Sequence, residues 1–145
     1  MMYWDSGAIL KLYVEEPDSR ALQELLFRSP RPILTSAISA IEVLCALYRK
    51  ARDGELESER VARTFAEYRA DCAAGGVVEA VYGSSLIAEA EELLALGFQQ
   101  PRPVMIRSLD LIHLATATAG RAEALVTTDA RLRRLASLAR LRVLP

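Results

Sequence analysis

Short apolar runs closed by turn residues alternate along the chain with longer segments of helical period, the arrangement expected of a parallel sheet covered by helices. The first run, Met1 to Trp4, ends at Asp5-Ser6-Gly7, and a short helical stretch through Leu10 and Tyr13 stops at Glu16-Pro17. Asp18 or Ser19 then caps a helix with Leu22, Leu25 and Leu26 on one face. A second strand, Pro32 to Thr35, leads into Ser36 and a helix in which Ile38, Ile41, Leu44, Cys45 and Tyr48 share a face, ended by Gly54. A helix from about Ser58 to Asp71 turns Val61, Phe65 and Tyr68 inward. After Gly75-Gly76 come a third strand, Val77 to Val81, and an Ala/Leu-rich helix from about Ser84 to Leu96. Two prolines break the linker Gln99 to Pro103. Ser108 reads as the N-cap of an Ala-rich helix ending at Gly120. A fourth strand, Ala124 to Thr128, runs to Asp129, a helix carries Leu132 and Leu135, and Leu141 to Val143 makes an edge strand. No repeat and no long linker divides residues 1–145, so one α/β domain is expected.

Composition agrees with that picture. With 52% apolar and 26% charged residues in 145, the chain can bury about 68–70% of the surface its unfolded form exposes, and disorder is excluded. The formal net charge of −1 argues against a protein that coats nucleic acid by bulk charge. One histidine and two cysteines without a Cys-x-x-Cys exclude a zinc cluster. Cys45 and Cys72 are expected to be reduced and buried. The opening residues lack a positive leader and an apolar core, and no run approaches a membrane span, which predicts a cytoplasmic protein.

The informative residues are four acids among apolar neighbours, where a carboxylate is costly unless something neutralises it. Asp5 ends the first strand, Glu42 lies in the helix after the second, Asp110 opens the Ala-rich helix, and Asp129 ends the fourth strand. In open parallel sheets such positions converge in the crevice beyond the strands' carboxyl ends. Each acid also has a local explanation. Asp5 and Asp129 can be N-caps, Asp110 a first-turn acid facing the helix dipole, and Glu42 the acid of a Ser39-Ala40-Ile41-Glu42 capping box. A helix starting at Ser36 would instead carry Glu42 about two turns in, beyond reach of the box. Four carboxylates in one cleft repel unless a cation lies between them. The simplest occupant is Mg²⁺ or Mn²⁺, hard ions that take oxygen ligands and serve hydrolysis of phosphodiesters.

Four blocks carrying these acids resemble the PIN-domain nucleases, and within them the VapC-type toxins of prokaryotic toxin–antitoxin pairs. They are Tyr3-Trp4-Asp5-Ser6-Gly7 through Tyr13, then Thr35-Ser36 with Ser39 and Glu42, then Arg107-Ser108-Leu109-Asp110-Leu111-Ile112-His113 through Ala117, and lastly Thr127-Thr128-Asp129 with Leu132. The resemblance implies a three-layer α/β/α sandwich with a short parallel sheet and a metal-dependent endoribonuclease. It carries Asp5, Glu42, Asp110 and Asp129 over as catalytic and metal-binding residues, with Ser6 and Thr127 orienting them. His113 is expected to be structural rather than a ligand.

The resemblance further implies an RNA substrate, a homodimer and a small antitoxin of VapB type that covers the acidic cleft. The helix pair around Gly54, with Tyr48, Phe65 and Tyr68, resembles the part of such toxins that meets the antitoxin. Residues 120–145 hold six arginines against Glu123 and Asp129, and Arg131, beside Asp129, is the candidate for RNA contact. The alternatives are a PIN nuclease of housekeeping RNA processing and a catalytically inactive PIN-fold binding module.

Overall fold

The computed structural model describes residues 1–145 with the exception of Pro30 and Tyr82. Among the described residues, strands β1 (Met2–Trp4), β2 (Ile33–Ser36), β3 (Val77–Ala80), β4 (Ala124–Val126) and β5 (Val143–Leu144) form one parallel sheet of order β3-β2-β1-β4-β5. Helices α1 (Ser6–Tyr13), α2 (Ser19–Arg28), α3 (Ser39–Arg52) and α4 (Ser58–Ala73) lie on one face, and α5 (Ser85–Phe98), α6 (Ser108–Ala119) and α7 (Ala130–Leu138) on the other.

Period-two alternation in the strands creates the two layers of core. Trp4, Ile33, Val77 and Val126 point into a cluster with Ile9, Leu22, Val43, Leu47 and Tyr68 from the first four helices. Their neighbours Tyr3, Leu34 and Leu125 point the other way, onto Leu93, Leu114, Leu132 and Leu135. The central strands β1, β2 and β4 are therefore covered on both faces, and the three-layer α/β/α sandwich is as the sequence implied.

Strand order positions the site. The chain leaves β1 through α1 and α2 to reach β2 on one side, and later returns to β4 on β1's other side. The connections diverge between β1 and β4, which opens a crevice at their carboxyl ends. Asp5 follows the last residue of β1, and its backbone N–H still donates to Val126 O of β4 (3.1 Å).

Several expectations are corrected. β2 runs through Ser36, and Ala37 N donates to Ala80 O (3.0 Å), so the β2–β3 ladder continues where a helix was expected. Helix α3 starts only at Ser39, with Ile38 as N-cap, and Glu42 falls in its first turn rather than two turns in. The buried face of α3 is Ser39, Val43 and Leu47, whereas Ile41 (66% exposed), Cys45 and Tyr48 (63%) face outward. Arg107, not Ser108, occupies the N-cap of α6. β4 stops at Val126, short of Thr128, and the edge strand β5 is Val143–Leu144. Both cysteines are free as expected, but Cys45 is exposed and Cys72 only half-buried.

Candidate active site

Asp5 is both an N-cap and a member of the crevice. Its Oδ1 accepts from Ala8 N (2.6 Å) at the start of α1, and its Oδ2 accepts from the Thr127 hydroxyl. The residue is 7% exposed. Burial pushes its pKa up from the ordinary 3.8; Thr127, Ala8 and His113 pull it back, and the nearby Asp129 charge adds to the rise.

Asp129 caps α7 in the same way, its Oδ1 accepting from Arg131 N and Leu132 N (2.9 Å each). Thr127 joins the two aspartates, because its hydroxyl donates to Asp5 and accepts from Asp129 N (3.1 Å). Arg133 Nη1 holds the same turn by donating to Thr127 O (2.9 Å). Fully buried Thr127 thus braces the ends of β1 and β4 from behind.

Glu42 and Asp110 come from α3 and α6, across the crevice. Glu42 Oε2 lies 2.6 Å from His113 Nε2. Burial would raise the Glu42 pKa, but the hydrogen bond from His113, with help from Ser6 and Arg107, holds it below the usual carboxylate range. It does not close the expected capping box, because the N-cap of α3 is Ile38 and Ser39 already lies inside the helix. Asp110 sits in the first turn of α6, where its Oδ2 accepts from Arg107 Nε (3.0 Å). The same guanidinium reaches within 3.9 Å of Asp129 Oδ2.

All four acids line one cavity of about 670 Å³, together with Ser6, Thr128, His113, Arg49 and Arg107 and an apolar margin of Leu10, Ile41 and Leu109. Arg131 is exposed and does not line it; its backbone N–H, not its guanidinium, meets Asp129. The arginines at the cavity are Arg49 and Arg107. Sequence reasoning passed over both, although Arg107 stands one helical turn before Asp110, a spacing at which side chains meet. His113 is 2% exposed, as expected of a structural residue, but its ring reaches the site through Glu42.

The donor chemistry suits a hard divalent ion. The carboxylates supply oxygen donors, and burial of Asp5 near Asp129 disfavours its charge until a cation approaches. Among the described residues, no three His, Cys, Asp or Glu side chains already stand close enough to hold an ion. Each acid is instead tethered by its own partner: Ala8 N and Thr127, His113, Arg107, or the α7 backbone. An ion held here would require these side chains to turn inward and Asp110 to exchange its Arg107 contact.

Comparison with known proteins gives the family and the fold. The family model for the PIN domain matches residues 2–138. The chain is 32% identical over 120 residues to Ribonuclease VapC46 of Mycobacterium tuberculosis, across 80% of this chain and 73% of that protein. A chain in the crystal structure of VapBC2 from Rickettsia felis, bound to a promoter DNA fragment, superposes with a TM-score of 0.66 at 18% identity, covering 99% of this chain and 98% of that one. The last is a likeness of fold.

Proposed function

The chain belongs to the PIN-domain family, and from that premise we propose that it is a divalent-metal-dependent endoribonuclease of VapC type, the toxin of a toxin–antitoxin pair. The observation that carries this reading is the gathering of Asp5, Glu42, Asp110 and Asp129 around one cavity at the carboxyl ends of β1 and β4. The likeness to a ribonuclease covers most of both chains.

In this reading the four acids hold Mg²⁺ or Mn²⁺. When bound, the ion supplies Lewis acidity toward a phosphodiester and eases loss of a proton from the attacking water. Thr127 keeps Asp5 and Asp129 in register, and Ser6 and His113 fix Glu42. Arg107, 74% exposed at the cavity, is free to turn from Asp110 to an RNA phosphate once the ion neutralises that acid. Arg107 thereby takes the phosphate-contact role that the sequence assigned to Arg131.

The partners are RNA, a second copy of the chain and a VapB-type antitoxin. One structural neighbour is a chain of a VapBC2 structure. The outward stripe of Ile41, Cys45 and Tyr48 on α3 borders the cavity and offers such a partner an apolar landing. Among the described residues no helix is long and apolar enough to cross a membrane, and an enzyme acting on cellular RNA works in the cytoplasm.

The test uses protein purified free of partner. Structured RNA is cleaved with Mn²⁺, spared with EDTA, and spared by Asp5→Asn and Asp110→Asn. Cleavage by those variants at the wild-type rate sinks the assignment.

A further inference from the structure

The chain contains one histidine, and both of its ring nitrogens are engaged. His113 Nε2 lies 2.6 Å from Glu42 Oε2, and Nδ1 lies 2.7 Å from the Tyr3 hydroxyl. Tyr3 is fully buried on β1, two residues before Asp5, and its ring meets the imidazole edge to face, with centroids 5.8 Å apart.

The direction of these bonds follows from what each group can do. A carboxylate only accepts, so the proton between Glu42 and the ring sits on Nε2. In the neutral imidazole Nδ1 is then bare and accepts, so the phenol donates. The result is a one-way chain, Tyr3 O–H to Nδ1 and Nε2–H to Glu42. It spans β1, α6 and α3, the elements that set Asp5, Asp110 and Glu42 in place.

Glu42 needs such a device more than the other acids do. Asp5 and Asp129 have short side chains fixed by backbone N–H groups. Glu42 has an extra rotatable bond, and the partner that holds its carboxylate is another side chain, His113. Left free, it could swing to Arg107 or back over the start of its own helix.

We propose that Tyr3 and His113 are positioning residues, in which the buried phenol selects the Nε2–H tautomer of His113 and that tautomer holds the Glu42 carboxylate toward the cation site. This rests on the reading of the acids as a metal site. The balance of bonds explains why the ring is buried yet ends at the cavity. A histidine kept only for packing would have no need of a fixed tautomer.

Two measurements test it. Protein carrying ¹⁵N-labelled histidine gives a single imidazole spectrum, recorded in the neutral form without metal. The wild type should show Nε2 protonated and Nδ1 bare, and Tyr3→Phe, nearly isosteric, should shift the ring toward a mixture of tautomers. Calorimetric Mn²⁺ titration should then find binding about 10–100-fold weaker in Tyr3→Phe and His113→Leu. His113→Gln, whose side-chain amide still donates toward Glu42, should recover part of the loss. Circular dichroism of Tyr3→Phe should match the wild type, which separates misplacement from misfolding. A wild-type ring protonated on Nδ1, or equal Mn²⁺ affinity in wild type and variants, overturns the proposal. A wild type that binds no Mn²⁺ contradicts the metal reading itself, and the tautomer spectra then decide on Tyr3 and His113 alone.

Discussion

Asp5 shows how capping and chemistry coexist in one side chain. Its bond from Ala8 N fits any helix N-cap, yet the bond from Thr127 ties it to the end of β4 and its burial near Asp129 makes its charge costly. Because its pKa in the folded chain is raised above 3.8, the folded state keeps a proton that the unfolded state releases. Asp5 therefore stabilises the metal-free fold most below that value, and the contribution is lost as pH rises through the raised pKa. At neutral pH, metal-free Asp5→Asn should melt about 2–4 °C above the wild type, a gain of about 1 kcal/mol. The gap should shrink toward acid pH, and Mn²⁺ should raise the melting point of the wild type only. Calorimetric scans with and without Mn²⁺ check both signs. Arg107 acts at the same scale as a resident cation competing for Asp110 and Asp129. Arg107→Ala should tighten Mn²⁺ binding about two- to fivefold, since an exposed pair is weak, while raising KM for RNA. Weaker Mn²⁺ binding in this variant would show that the guanidinium supports the acids rather than competing with them. Such residue-level detail was only half legible. Asp5, Ser6 and Thr127 stood in recognisable blocks, and the i,i+3 spacing of Arg107 and Asp110 was there to be read, but the His113–Glu42 bond, which spans 71 positions, leaves no local signal.

At the scale of elements, β1 to β4 were each signalled by a short apolar run with turn residues beside it. The start of α3 was not, because Ser36 serves equally as helix cap and as strand end. The β2–β3 ladder decides between them. The expected buried face of α3 failed for a related reason. Between Ile41 and Leu47 the helix carries apolar residues on more than one face, and periodicity cannot tell the stripe that packs on the core, Val43 and Leu47, from the outward stripe of Ile41, Cys45 and Tyr48. Close packing elsewhere gives a sharper prediction. A Cβ on Gly97 of α5 would collide with Val104 O and press on Leu135 Cδ1. Gly97→Ala should therefore cost about 1–3 kcal/mol in chemical denaturation despite alanine's better helix propensity. A stabilised variant would mean that α5 can shift off the 99–107 segment freely.

For the whole molecule, alternation of short strands and helices sufficed to identify a parallel α/β architecture, but not its strand order. That order depends on pairings such as β1 with β4, whose functional counterpart, the Thr127–Asp5 bond, joins residues 122 positions apart. Once β1 lies between β2 and β4, the divergence of the connections makes the crevice, and four acids from distant blocks meet around it. The net charge of −1 then reads differently from its first appearance. Four of the acids face the cavity, so a bound divalent ion would cancel about half of the formal charge they present to a polyanion. The most direct measurement of this account is RNA cleavage by the partner-free chain across a Mn²⁺ titration, wild type beside Asp110→Asn. The wild type should gain activity with Mn²⁺ and lose it in EDTA, and the variant should fall at least about 100-fold at saturating ion. Cleavage that persists in EDTA, or that Asp110→Asn leaves intact, would contradict it.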